Sequence, residues 1–164
     1  MPVKIPKILL LSLSIGAALA GCQKPAETAA AGTATAKAEA PAYTLDESKL
    51  PPFNQFTLAD LDPAHDGLRI AHLTDIHVGR ATPARRVLEA VAQANSFDPD
   101  LVVMTGDYLS HHERGLGLLR EQLSGLRGPV VSVLGNHDHW VDAEGATSVL
   151  GSFGYDVLRN QHTT

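Results

Sequence analysis

The 164-residue chain is predicted to fold as an α/β protein, a mainly parallel sheet whose strands are joined by helical βαβ crossovers. Three observations predict it. From Leu68 onward, short apolar runs alternate with stretches whose apolar residues recur at helical spacing. One run, Leu101-Val102-Val103-Met104, is continuously apolar, as expected for a strand buried on both faces. Three of the runs end in polar clusters of Asp, His or Asn, where open parallel sheets gather ligands.

The first 22 residues read as an address rather than as fold. Met1 to Lys7 carries two lysines and no acid, Ile8 to Ala20 is apolar, and Leu19-Ala20-Gly21-Cys22 follows. A charged start, a short apolar middle and small residues before a cleavage point describe an export signal. Leu-Ala-Gly-Cys resembles the bacterial lipobox, in which the Cys becomes the lipidated first residue, and Cys22 is the chain's only cysteine. A plain secretory signal beside a chance Cys is the alternative. Domain boundaries are expected at 1–21 for the signal, 22–50 for a tether and 51–164 for a globular domain. The tether, rich in Ala, Thr and Pro, has no apolar periodicity and is predicted to be disordered.

Within the domain, Gln55 to Leu61 and Leu68 to Thr74 read as a hairpin around the turn-forming stretch Asp62 to Gly67. Thr82-Pro83 looks like an N-cap followed by Pro at the first helical residue, with Val87, Leu88, Val91 and Ala94 at helical spacing. After the strand at Leu101 to Met104, Leu116, Leu119, Leu123 and Leu126 mark a second helix. Val130 to Leu134 is the third strand. Asp142 caps a third helix with Ala146, Val149, Leu150 and Phe153 on one face, and Tyr155 to Leu158 is the fourth strand.

Composition narrows the function. Thirteen basic against 18 acidic residues give a net charge of −5, and aromatics are only 5%. Neither favours nucleic acid as a partner. A single Cys excludes an internal disulfide framework and a Cys-rich zinc module. What remains are the three strand-end clusters: Asp75-Ile76-His77, Gly106-Asp107 and Gly135-Asn136-His137-Asp138. They are spaced by roughly one 30-residue strand–helix–strand step, so they should be neighbours on one rim. Their oxygen and nitrogen donors suit Mn, Fe or Zn. Asp75 and His77 would point the same way on an extended chain and share an ion. Glycines let the backbone turn sharply beside Asp107 and Asn136.

These blocks resemble the first three signature motifs of the calcineurin-like metallophosphoesterase superfamily, over roughly Leu68 to Gln161. The resemblance implies the N-terminal half of an αββα sandwich. It also implies hydrolysis of phosphodiester or pyrophosphate bonds at a site with two divalent metal ions (Mn2+, Fe2+ or Zn2+). Asp75 and His77 would hold the first ion, Asp107 both, and Asn136 the second. His137 would act catalytically on the phosphate, and Asp138 would hydrogen-bond His137 and set its tautomer. In the family a further His and a Gly-His-x-His block complete the ligand set. The chain ends at Thr164 with only His162 in a plain tail, so the chain is expected to be the front part of a longer protein.

The other histidines read more simply. His72 lies within a strand and suits sheet packing, and His65 sits in a turn. His111 and His112 lie on a loop after Asp107, either near substrate or solvated. Arg80 meets a phosphate or is a surface charge. His139 and Trp140 either shape the mouth of a pocket or anchor their loop. The leading reading is a lipid-anchored envelope phosphoesterase with a lipid- or cell-wall-derived phosphate ester as substrate. The alternatives are an inactive lipoprotein or binding module with weak mononuclear metal binding, and a mononuclear hydrolase using Asp75, His77 and Asp107.

Overall fold

The computed structural model describes residues 8–14, 53–58, 61–110 and 115–163. The tether at 22–50, Cys22, His111 and His112 lie outside the described residues. The elements are β1 (Ile8–Ser14), β2 (Asn54–Leu58), β3 (Arg69–Thr74), α1 (Ala84–Ser96), β4 (Leu101–Met104), α2 (Gly115–Leu123), β5 (Val130–Ser132), α3 (Asn136–Val141), α4 (Ala143–Ser152) and β6 (Asp156–Val157). They form a mixed α/β fold on one six-stranded sheet of order β2-β1-β3-β4-β5-β6. Every pair from β1 to β6 is parallel, and β2 alone runs antiparallel, against β1.

The strand–helix alternation is as expected from β3 onward. Consecutive parallel strands in sequence order, joined by right-handed crossovers, place their helices on one face of the sheet. The burial pattern agrees. Ala71 and Leu73 of β3, Val102 and Met104 of β4 and Val130 of β5 form a core with Val87, Ala90, Val91 and Ala94 of α1, Leu119 and Leu123 of α2, and Ala146, Val149 and Leu150 of α4. Each fully buried Leu among these contributes roughly 1.5–3 kcal/mol over its exposed state.

β4 was expected to be buried on both faces. Val102 and Met104 are buried, whereas Leu101 and Val103 are only half-buried. Among the described residues, the helices cover one face alone.

Three local expectations are corrected. β2 and β3 do not form a hairpin, because β1 lies between them, matching Leu10 to Phe56 on one side and to Ile70 on the other. The apolar run that suits the middle of an export signal also suits an interior parallel strand, and periodicity alone cannot separate the two. The first helix is capped one residue later than expected. Pro83 is the N-cap residue, with no side-chain bond, and Thr82 is buried with its Oγ1 unpartnered. The third cluster is not a loop from end to end: residues 136 to 141 form the short helix α3. The next cap is as expected, since the Gly145 N–H donates to Asp142 Oδ1 at 2.8 Å at the start of α4.

Candidate metal centre

Beyond their last residues, β3, β4 and β5 remain tied to one another. The Thr105 N–H donates to the Leu73 carbonyl, Asp75 N–H to Gly106, His77 N–H to Asp107 and Val78 N–H to Tyr108. Across the next gap, the Val133 N–H donates to Met104. The three clusters therefore extend the sheet as a laced rim.

That rim is strained where the chemistry sits. Asp75, His77 and Asp107 have φ of +54°, +47° and +55°, in the left-handed region that non-glycine residues avoid. Such strain persists only where surrounding structure over-determines it, and it clusters at functional sites. The glycines let the second and third loops touch. A Cβ on Gly106, itself at φ +90°, would fall on the backbone of Gly135, and one on Gly135 would fall on the Asp107 carboxylate.

Three side chains converge. Donor atoms of His77, Asp107 and His137 all lie within 4.8 Å of one another. His77 is buried, and its Nδ1 lies 3.2 Å from the Leu109 carbonyl. A carbonyl only accepts, so Nδ1 carries a proton, which leaves Nε2 as the nitrogen through which the neutral ring would bind a metal. Nε2 lies 3.7 Å from Asp107 Oδ2. The other carboxylate oxygen, Oδ1, accepts from the His137 backbone N–H at 3.0 Å. An imidazole oriented through its far nitrogen is the usual arrangement of a metal-binding His. Two imidazoles and a carboxylate suit a divalent ion of the Mn, Fe or Zn type, so the residues present fit such an ion.

Asp75 lies apart from the converging group, and Asp138 has other partners than expected. Asp75 stands outside the converging group, and its Oδ2 accepts from the Thr74 hydroxyl at 2.7 Å. The expectation assumed an extended chain, but positive φ at residues 75 and 77 removes the simple alternation of side chains. Asp138 was expected to orient His137. Instead its fully buried carboxylate ties backbone to backbone. Oδ1 accepts from the Tyr108 and Leu109 N–H groups, and Oδ2 from Gly135, each at 2.9 Å. Burial pushes its carboxyl up from the ordinary value, against these three bonds, which pull it down. Asp138 thus joins the loop after β4 to the loop after β5, and the Leu109 amide it holds belongs to the residue whose carbonyl orients His77. His137, expected to act on phosphate, sits in the donor cluster itself. Asn136 is exposed at the first residue of α3, next to it.

Sequence reasoning missed the Leu109 carbonyl and the Tyr108 ring. Tyr108 is fully buried, and its hydroxyl donates to the Val133 carbonyl at 2.8 Å, a second tie between the same loops. A buried aromatic directly after a Gly-Asp turn was the available signal. Arg80, His65, His139 and His162 are exposed. His72 hydrogen-bonds Thr105 through Nε2, and burial lowers its pKa.

A family model described as calcineurin-like phosphoesterase matches residues 68–162. Among curated proteins, the chain is 33% identical over 100 residues to a transmembrane protein with metallophosphoesterase domain from Danio rerio, covering 59% of this chain and 23% of that protein. It is 34% identical over 103 residues to phosphodiesterase YaeI of Escherichia coli, covering 58% and 37%. It is 32% identical over 76 residues to the UDP-2,3-diacylglucosamine pyrophosphatase LpxG of Chlamydia muridarum, covering 44% and 23%. The matched segments thus span well under half of these relatives' own length. No solved structure matches the chain significantly.

Proposed function

The chain belongs to the calcineurin-like phosphoesterase family, and from that premise we propose that it hydrolyses phosphoric ester bonds with divalent metal held at His77, Asp107 and His137. Asn136 and Asp75 complete the proposed set, Asn136 toward a second ion. The observation that carries this reading is the orientation of His77, Nδ1 against the Leu109 carbonyl and Nε2 toward Asp107.

When bound, the ions would polarise the phosphoryl oxygens and supply a water acidic enough to attack at neutral pH. The chain's residues do the rest. The Asp107 carboxylate, placed between the two histidines, offers the negative charge that draws cations into a net acidic protein. Asp138 and Tyr108 hold the loops that carry Asp107 and His137 at a fixed separation. His137, whose backbone N–H donates to Asp107, offers the second imidazole of the donor cluster.

Phosphodiesters and pyrophosphates are the proposed substrates, because relatives carry phosphodiesterase and pyrophosphatase names. A lipid-derived phosphate suits an envelope location, which Leu19-Ala20-Gly21-Cys22 supports as a site of lipid attachment. Among the described residues, no helix is long and apolar enough to cross a membrane. Labelled palmitate should enter the protein and be lost in Cys22→Ser; equal labelling of that variant contradicts the anchor.

The hydrolase reading is tested on protein expressed from its complete reading frame, stripped with chelator and reloaded with Mn2+. Release of p-nitrophenolate from bis(p-nitrophenyl) phosphate, lost on chelation and restored by Mn2+, is expected. Metal binding without turnover of any phosphoester contradicts it. A second reading rests on the donor count: three convergent side chains are fewer than the roughly four to six ligands such ions take. It describes a mononuclear binding module, and one Mn2+ bound per chain with no hydrolysis is its signature.

A further inference from the structure

We propose that Trp140 is a specificity-determining residue of this site, its indole receiving a planar, π-faced substituent of the phosphoryl substrate. The proposal rests on the phosphoesterase reading and deepens it.

Trp140 is the only tryptophan in the chain and is 52% exposed. A single exposed aromatic is unremarkable by itself. This one touches the donor cluster. Its ring centroid lies 5.0 Å from that of His137 with the planes tilted by 52°, and His137 in turn meets His77 edge-on at 4.7 Å. Three rings therefore run from the buried donors out to solvent.

The helix that carries the indole is held in place. His137 and Trp140 are three residues apart on α3 and share a helix face. Asp138, on the opposite face, pins that helix from behind through its bonds to Tyr108, Leu109 and Gly135. An aromatic surface then stands beside a histidine of the donor cluster.

The surroundings decide which substituent fits. Among the described residues, the exposed residues of α3 and just after it, besides Trp140, are the polar Asn136, His139 and Asp142, with the exposed Val133 shortly before the helix. A long acyl chain would find the indole set among polar side chains on α3, whereas a single flat ring matches a single indole. The indole's negative face favours offset or edge contact with such a ring.

The test compares phenylphosphonate with methylphosphonate on Mn2+-loaded protein by calorimetry. Neither ligand is hydrolysed, so the readout is binding. Phenylphosphonate is expected to bind roughly tenfold to hundredfold tighter, the range of stacking on aromatic side chains. In Trp140→Ala that ratio should fall to about two or less, with methylphosphonate affinity unchanged, and Trp140→Phe should keep most of it. The lone indole's emission should respond to the phenyl ligand more than to the methyl one. Equal affinity for both ligands in the unaltered protein overturns the proposal while leaving the phosphoesterase reading intact. So does a preference that survives Trp140→Ala, or a loss of both ligands together in that variant. Tighter binding of octylphosphonate than of phenylphosphonate assigns the surface to acyl chains and overturns the planar class. Failure of the Mn2+-loaded protein to bind methylphosphonate at all overturns the phosphoesterase reading and this proposal with it.

Discussion

The rim beyond β3, β4 and β5 and the outer edge at β1 and β2 belong to one sheet but are held in different ways. At the rim, each loop is fixed by several independent constraints. Backbone bonds continue the ladder past the strand ends, Asp138 and Tyr108 tie two loops together from below, and Gly106 and Gly135 leave no room for a side chain between them. At the edge, all five residues of β2 are exposed, Phe56 and Leu58 among them, and the strand pairs with β1 through its ladder. Three of the five described non-glycine residues with left-handed φ are the rim's Asp75, His77 and Asp107, the others being Asp98 and Asn160, and the described residues of the edge strands have none. The lesson is that this protein concentrates redundancy where donors must converge, which is where backbone strain has to be held.

The contrast can be broken from the rim side first. Gly106→Ala should be the most damaging change, because it combines a left-handed backbone with collision against Gly135. We expect a stability loss of about 3 kcal/mol or more in urea unfolding, together with loss of Mn2+ binding. Retained metal affinity would mean that the two loops need not touch.

Asp107→Asn separates charge from shape. The amide oxygen can still accept from the His137 N–H, so stability should change little, while Mn2+ affinity by calorimetry falls by at least about 100-fold. Asp138→Asn should behave oppositely. An amide can accept on one side only, so its NH2 would oppose either Gly135 or the Tyr108–Leu109 pair. A loss of about 1–3 kcal/mol is expected, with a secondary fall in metal affinity. If Asp138→Asn left stability unchanged, the carboxylate would not be the tie assigned to it. The smallest effect belongs to the edge: Phe56→Ser should stay within about 0.5 kcal/mol and leave Mn2+ affinity as it was.

The same contrast explains what could be read in advance. β3, β4 and β5 announce themselves as short apolar runs, and their ends announce the site through Gly-Asp and Gly-Asn-His-Asp. Those positions carry several requirements at once, so residue type alone is informative. Ile8–Ser14 carries one requirement, to be apolar, and an export signal and an interior strand share it. Asp75 was placed beside His77 by an alternation that positive φ cancels. Asp138 stands beside a histidine in sequence, yet its partners are amides at residues 108, 109 and 135, which only the folded loops bring together. Six residues of α3 are too few to show a helical period, so the helix that aligns His137 with Trp140 was not visible.

The central claim is that His77, Asp107 and His137 hold one divalent ion between them. Pulsed EPR of bound Mn2+ tests it without reference to turnover. Nitrogen couplings from two imidazoles should be present in the unaltered protein, with one lost in His77→Ala and the other in His137→Ala. Mn2+ bound through oxygen ligands alone, with a spectrum that neither variant changes, would contradict the account.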